Sequence, residues 1–197
     1  MEFNGLIKSK IPGVGTSIFA VMSQLANEHN ALNMAQGFPN FMCSKDLVSL
    51  VNKYMNKGFN QYAPMPGVMA LREQIALKTE KLYSAKYNPD TEITITGGGT
   101  LAIYAAIVAL VSPGDEVILI EPAYDSYAPS VKLAGGIVKY ARLQHPKYTI
   151  DWNEVKKLVS FKTRMIVINT PHNPTGTVLT AADMQKLEKI VDKSDIL

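Results

Sequence analysis

Four short runs rich in β-branched residues determine the architecture that we predict: EITIT at residues 92–96, EVILI at 116–120, GIVKY at 136–140 and MIVIN at 165–169. Helical patterns occupy the segments between and after them, at residues 100–111, 124–134, 153–160 and 181–192. Strands and helices that alternate at this spacing are typical of a largely parallel sheet with helices on both faces. We therefore expect a three-layer αβα fold that binds ligands beyond the carboxyl ends of its strands.

The residues before the first run form a different part of the chain. Residues 1–44 are predicted to be an N-terminal arm with a helix over residues 17–28. Two more helices follow, because apolar residues recur at helical spacing over residues 45–57 and 67–87. The chain therefore divides into an arm and a domain that comprises residues 45–197.

The composition is that of a soluble globular protein. The 197 residues are 47% hydrophobic and 19% charged, and their net charge of +3 is spread without a basic block. No apolar run reaches the roughly 18–20 residues of a transmembrane helix, and residues 1–5 lack the pattern of a secretion signal. The single cysteine, Cys43, excludes an internal disulfide framework and fits a reducing compartment. We predict a cytoplasmic protein that binds neither nucleic acid nor membranes nor a metal ion.

The loop after the first run, Thr-Gly-Gly-Gly-Thr at residues 96–100, has the composition of a phosphate-binding site. Consecutive glycines let a ligand approach the backbone, and the start of the next helix presents unpaired N–H groups to an anion. Thr100 adds a hydroxyl at the N-cap. A plain glycine-rich turn capped by Thr100 is the alternative. The loop has neither a Walker lysine nor a Gly-x-Gly-x-x-Gly fingerprint, which disfavours a nucleotide site.

Two further loops place ring-binding side chains after strands. The Pro turn that follows residue 120 would aim Tyr124 into the crevice, where a flat ring can stack on a planar heterocycle; a core tyrosine at a helix start is the alternative. The last run continues as TPHNPTG at residues 170–176. In this loop Asn173 can both donate and accept hydrogen bonds, and so can bind a ring oxygen whose charge changes during a reaction. His172 is predicted to be oriented within the loop rather than catalytic.

These motifs resemble the class I aminotransferases of pyridoxal 5'-phosphate (PLP) fold type I, with NTPHNPTG at residues 169–176, GGT at 98–100 and PAY at 122–124. Other strings are similar to the branch that contains methionine, kynurenine and glutamine–phenylpyruvate aminotransferases: GTSIF at 15–19, AQGFP at 35–39 and YAPMPG at 62–67, followed by Leu71 and Arg72. The resemblance implies a transferase of amino acid metabolism or biosynthesis that acts on an amino acid and a 2-oxo acid.

The resemblance also implies roles for individual residues in binding the cofactor. Gly99 and Thr100 match residues that bind the PLP phosphate, and Gly98 shapes their turn. Tyr124 matches the aromatic residue that stacks on the pyridine ring. Asn173 matches the amide that binds the phenolic oxygen of the ring and lies near the substrate carboxylate.

A second group of positions is implied to bind the substrate or the neighbouring subunit. Tyr62 matches a tyrosine that reaches the PLP phosphate of the other protomer, so the resemblance implies a homodimer. Gly37 matches a backbone contact to the substrate. Ile18, Phe19 and Phe38 are expected to line the pocket for the substrate side chain.

Some features of the family do not match this chain. Leu101 stands where an acidic residue often follows the phosphate-binding threonine, a change that we treat as tolerated. The family's aspartate, tyrosine, Schiff-base lysine and substrate-binding arginine match positions beyond Leu197. No catalytic residue is therefore assigned within these 197 residues, and we expect the chain alone to show no transamination.

The resemblance implies a truncated fold. Residues 1–44 would contribute to the small domain and the substrate pocket, and residues 45–197 would be the first part of the PLP-binding large domain. In this family other strands lie between the first strand and the rest, so the run at 92–96 would lack a neighbour. Uncovered apolar edges favour aggregation, and we therefore expect that residues 1–197 do not fold autonomously.

Two other functions remain open at this stage. A PLP-dependent carbon–sulfur lyase would use the same cofactor loops, and so would a non-catalytic aminotransferase-like module that only binds PLP. The structural predictions rest on the shared cofactor loops and do not depend on which function is correct. We predict that a helix begins at Thr100 or within two residues of it and that the cofactor-binding residues face one crevice. We also predict that the peptide bonds Glu121–Pro122 and Asn173–Pro174 are cis.

Overall fold

The computed structural model describes residues 8–37 and 39–197, which fall into two compact units. One unit is Thr16–Gly97, and the other is Gly98–Leu197 together with the described residues up to Gly15. The division between residues 44 and 45 that we expect from the sequence stays a prediction. No helix of the described part of the chain is long and apolar enough to cross a membrane.

The first unit contains three helices: α1 (Ile18–Glu28), α2 (Lys45–Asn56) and α3 (Met69–Tyr83). In the second unit helices and strands alternate in the order α4 (Gly99–Leu110), β1 (Glu116–Glu121), α5 (Tyr127–Leu133), β2 (Ile137–Arg142), α6 (Trp152–Leu158), β3 (Thr163–Val167) and α7 (Ala181–Val191). All seven of the predicted helices form, and three of the four predicted strands do.

The three strands make a parallel sheet in the order β2-β1-β3. The central strand β1 is buried on both faces, since Val117, Ile118 and Leu119 have no exposed surface. A continuous apolar run is what a central parallel strand requires, because helices cover both of its faces. The carboxyl ends of β1 and β3 therefore lie side by side, and the loops that follow them are neighbours.

Alternate residues of the sheet face two separate cores. Val117 and Leu119 pack with Ile107 of α4 and Val131 of α5. The other face packs against α6 and α7 through a second cluster, which includes Ile118, Ile120, Trp152, Val155, Leu187 and Ile190. Because successive side chains of a strand point to opposite faces, these two cores produce the predicted three layers.

The fourth predicted strand, residues 92–96, does not form a ladder with any described strand. Instead the N–H of Ile95 donates a hydrogen bond to the carbonyl of Pro66 at 2.9 Å. Gly67 follows with φ +98°, and a side chain at that position would collide with Ile95. The strand predicted from the β-branched pattern is therefore absent, whereas the prediction that this run would lack a neighbouring strand is confirmed, because a strand needs a partner as well as propensity.

Two predicted helices are shorter than their apolar periodicity suggests. Helix α3 begins at Met69, after the turn at Gly67, and ends where Ser84 adopts a left-handed conformation with φ 55°. Helix α5 begins at Tyr127 rather than at residue 124. Tyr124 consequently lies in the turn that joins β1 to α5, outside the helix.

Candidate active site

The glycine-rich loop leads directly into α4. Gly98 is the N-cap with φ 119°, a region that residues with a side chain rarely adopt, and the helix begins at Gly99 as predicted. The first helical hydrogen bond runs from the N–H of Ala102 to the carbonyl of Gly98. Helix geometry gives the N–H groups of Gly99 and Thr100 no intrahelical acceptor. A Cβ on Gly98 or Gly99 would meet no atom within 4 Å, so open space borders these amides.

The turn after β1 brings Tyr124 to this helix start. The Glu121–Pro122 peptide bond is cis, as predicted. The hydroxyl groups of Tyr124 and Thr100 are 3.3 Å apart, within hydrogen-bonding distance. The Tyr124 ring packs edge to face on Tyr127, with 5.7 Å between the ring centroids.

Asn169 connects the loop after β3 to Tyr127, next to Tyr124. Its Nδ2 donates a hydrogen bond to the hydroxyl of Tyr127 at 3.2 Å, and its Oδ1 accepts one from the N–H of Asn173 at 3.2 Å. The Asn173–Pro174 bond is cis as predicted, and the Thr170–Pro171 bond is also cis. An unbroken series of contacts therefore runs through Thr100, Tyr124, Tyr127, Asn169 and Asn173. We call this series the contact chain.

His172 is buried and held within its loop. Its Nδ1 lies 2.8 Å from Oγ1 of Thr175, and the N–H of Gly176 donates to its carbonyl at 2.6 Å. Burial lowers the pKa of His172 below its ordinary value, and a hydrogen bond to the carbonyl of Ile120 opposes that effect more weakly. The ring thus shapes the loop and anchors it to β1.

The other predicted site residues belong to the unit Thr16–Gly97. Tyr62 is fully exposed, Gly37 is exposed, and α1 begins at Ile18, whose side chain is exposed, while Phe19 is half-buried. Phe38 lies outside the described residues.

Two residues of the contact chain, Tyr127 and Asn169, have no role predicted from the sequence. The sequence feature that could have identified them is their position relative to the strands. Asn169 comes just after β3, and Tyr127 opens α5 three residues after Tyr124. Both positions are at the carboxyl edge of a parallel sheet, where ligands bind.

The three loops suit a phosphorylated pyridine ring. The helix start and its glycines offer amides and open space to a phosphate, Tyr124 offers an aromatic face, and the side-chain amide of Asn173 is exposed at the same edge. Within the described residues no group of three or more His, Cys, Asp or Glu side chains is arranged to hold a metal ion.

Comparison with known proteins agrees with this geometry. A family model for aminotransferase class I and II matches residues 29–197. Methionine aminotransferase of Escherichia coli K12 is 50% identical over 197 residues, which are 100% of this chain and 51% of that protein. A probable N-succinyldiaminopimelate aminotransferase, DapC, of Mycobacterium tuberculosis is 37% identical over 195 residues, 96% of this chain and 48% of that protein. The chain thus spans about half the length of the curated relatives that it matches.

Solved structures give the same answer for the fold. The crystal structure of an E. coli protein with a methionine aminotransferase function superposes with a TM-score of 0.94 at 49% identity, covering 98% of this chain and 50% of that one. The predicted three-layer fold and the predicted resemblance are confirmed. Since the family model spans most of the sequence, the chain belongs to the class I and II aminotransferase family, whose cofactor is pyridoxal 5'-phosphate.

Proposed function

We propose that the complete protein is an aminotransferase that moves an amino group from an amino acid to a 2-oxo acid. The contact chain carries this proposal, because it joins a phosphate-type loop, an aromatic ring and an amide at one edge of the sheet. When bound, PLP supplies the electron sink that makes the Cα proton of an amino acid acidic.

The glycine loop binds the phosphate in this proposal. The first N–H groups of α4, at Gly99 and Thr100, lie at the positive end of the helix dipole. The Thr100 hydroxyl adds a donor, and it is already oriented by Tyr124. Gly98 supports these contacts through its positive φ rather than by touching the ligand.

Tyr124 and Asn173 hold and tune the ring. The aromatic face of Tyr124 limits the ring to one plane, and its edge contact with Tyr127 prevents the side chain from rotating freely. The amide of Asn173 would donate to the phenolic oxygen and would lie close to the substrate carboxylate. A donor at that oxygen stabilises its ionised form.

The preferred amino acid is proposed to be methionine or an aromatic type. Gly37 would contact the substrate through its backbone, and Ile18, Phe19 and Phe38 would form an apolar side-chain pocket. The 50% identity to a methionine aminotransferase supports the same class of substrate. A homodimer is also proposed, in which Tyr62 reaches the phosphate of the other protomer. A cytoplasmic location remains a prediction, which the exposed thiol of Cys43 supports.

The test uses the complete native polypeptide with PLP, methionine or phenylalanine, and a series of 2-oxo acids. We expect a new amino acid to form from the 2-oxo acid. Asn173→Ala should lower turnover by about 10- to 100-fold, because it removes a hydrogen bond to a charged group, whereas Asn153→Ala on the exposed side of α6 should not. Release of keto acid together with ammonia, over many turnovers and in the absence of any 2-oxo acceptor, would indicate a lyase instead. PLP binding without turnover would indicate a non-catalytic module, and either result overturns the proposal.

A further inference from the structure

One side chain connects the two loops that carry Tyr124 and Asn173. Asn169 uses both ends of its amide, since Nδ2 donates to the Tyr127 hydroxyl and Oδ1 accepts from the Asn173 N–H, each at 3.2 Å. Asn169 is partly buried at the end of β3, so its side chain has few alternative partners.

Tyr127 completes the connection on the other side. It opens α5, and its ring packs against the core that contains Ile107 and Val131. The same ring presents its edge to Tyr124, with an interplanar angle of 75°. Its position is therefore set by packing, and its hydroxyl is a fixed point to which Asn169 can attach the β3 loop.

We propose that Asn169 and Tyr127 are positioning residues, which hold the Tyr124 ring and the Asn173 amide in one arrangement before the cofactor binds. The inference rests on the proposed function and deepens it. Neither residue touches the ring in this proposal. They act through Tyr124 and Asn173, so removing them should change how the ring oxygen is stabilised without changing which groups contact it.

The other bonds of the β3 loop do not perform this task. His172, Thr175 and Gly176 bond to one another and fix the shape of residues 172–176. Asn169 alone among these residues bonds to the segment that follows Tyr124, and it does so through the Tyr127 hydroxyl.

The experiment compares Tyr127→Phe, Asn169→Leu and the double variant of the complete native polypeptide. Tyr127→Phe removes only the hydroxyl and keeps the ring packing, so it should fold even if Asn169→Leu does not. Tyr83→Phe and Asn153→Leu, at exposed positions outside the contact chain, are the matched controls. Three quantities are measured: the dissociation constant of PLP from the apoprotein, the pH midpoint of the bound cofactor's absorption band, and the melting temperature of the apoprotein.

We expect PLP to bind about fivefold more weakly to Tyr127→Phe, the loss typical of one net hydrogen bond, and at least as weakly to Asn169→Leu, which loses the bonds to both Tyr127 and Asn173. The double variant should bind no more weakly than Asn169→Leu, because both changes break the same bond. The pH midpoint of the absorption band should rise in these variants and stay at the wild-type value in the controls, since a misplaced Asn173 stabilises the ionised ring oxygen less well.

A purely structural role would lower the melting temperature and leave the pH midpoint and the dissociation constant of PLP unchanged. That result, or wild-type values in all three measurements, would overturn the inference while the proposed function stands. If the unaltered protein fails to bind PLP, the proposed function is wrong, and the positioning role falls with it.

Discussion

At the scale of single residues, the backbone conformation of Gly98 sets the start of α4 in the phosphate-type loop. Its φ of 119° directs the chain into α4, although the space around it is open. We expect Gly98→Ala to destabilise the protein by about 1 kcal/mol or more and to weaken PLP binding, because the strain is in the backbone and no atom has to move aside. The dissociation constant of PLP and the free energy of unfolding in urea measure both effects.

Gly13→Ala is the control for this change. Gly13 also has open space around it but no positive φ, so the substitution should leave PLP binding and stability nearly unchanged. Wild-type PLP affinity in Gly98→Ala would show that the conformation of this residue is not needed for the site.

At the scale of elements, the start of α7 is linked to α6. The side chains and backbones of Thr180 and Asp183 form a reciprocal capping box, and Asp183 also accepts a 2.8 Å hydrogen bond from Nε1 of Trp152. Hydrogen bonds from Thr180, and then from Trp152, lower the pKa of Asp183 from its ordinary value of 3.8 to about 2. The carboxylate form is thus the one that the folded protein stabilises.

The sign of the pH dependence follows from this lowered pKa. A depressed pKa in the folded state gives stability that is present above the unfolded value near 3.8 and is lost as the pH falls toward about 2. Asp183→Ala should cost about 1 kcal/mol at pH 7, as expected for a lost cap, and the cost should shrink between about pH 4 and pH 2. Urea unfolding of both proteins across this range is the measurement. Asp192→Ala at the other end of α7 is the control, and a cost that does not depend on pH would contradict the assignment.

At the scale of the whole molecule, the proposed homodimer makes a prediction about shared sites. If Tyr62 of one protomer completes the site that contains Asn173 of the other, the impaired variants Tyr62→Ala and Asn173→Ala should restore each other when mixed. Random exchange of subunits makes half of the dimers mixed, and each mixed dimer has one intact site of two. Activity should therefore recover to about a quarter of the wild-type value.

The measurement is turnover after the two variants are unfolded, mixed and refolded together. The control mixes Tyr124→Ala with Asn173→Ala. These two residues lie in one unit of the same chain, so each site of a mixed dimer carries one substitution, and activity should not recover. No recovery in the Tyr62 mixture would place Tyr62 and Asn173 in one protomer or remove Tyr62 from the site.

The alternation of strands and helices after residue 97 was predictable from the sequence, because burial on both faces leaves a continuous apolar run such as residues 116–120. The sequence also allowed us to predict the glycine loop and the cis bonds before Pro122 and Pro174, since short motifs of this kind restrict the backbone locally. The same motifs identified the family. Roles for Tyr62 and Gly37 stay predictions.

Only the tertiary structure decided the rest. The resemblance already implied that residues 92–96 would lack a neighbouring strand, and what the structure adds is the hydrogen bond from Ile95 to the carbonyl of Pro66, a contact that strand propensity does not reveal. Asn169 and Tyr127 are 42 residues apart, and their hydrogen bond exists because parallel pairing places the ends of β1 and β3 side by side. A local pattern determines which backbone a segment prefers, whereas contact between distant side chains depends on how the sheet is ordered and packed.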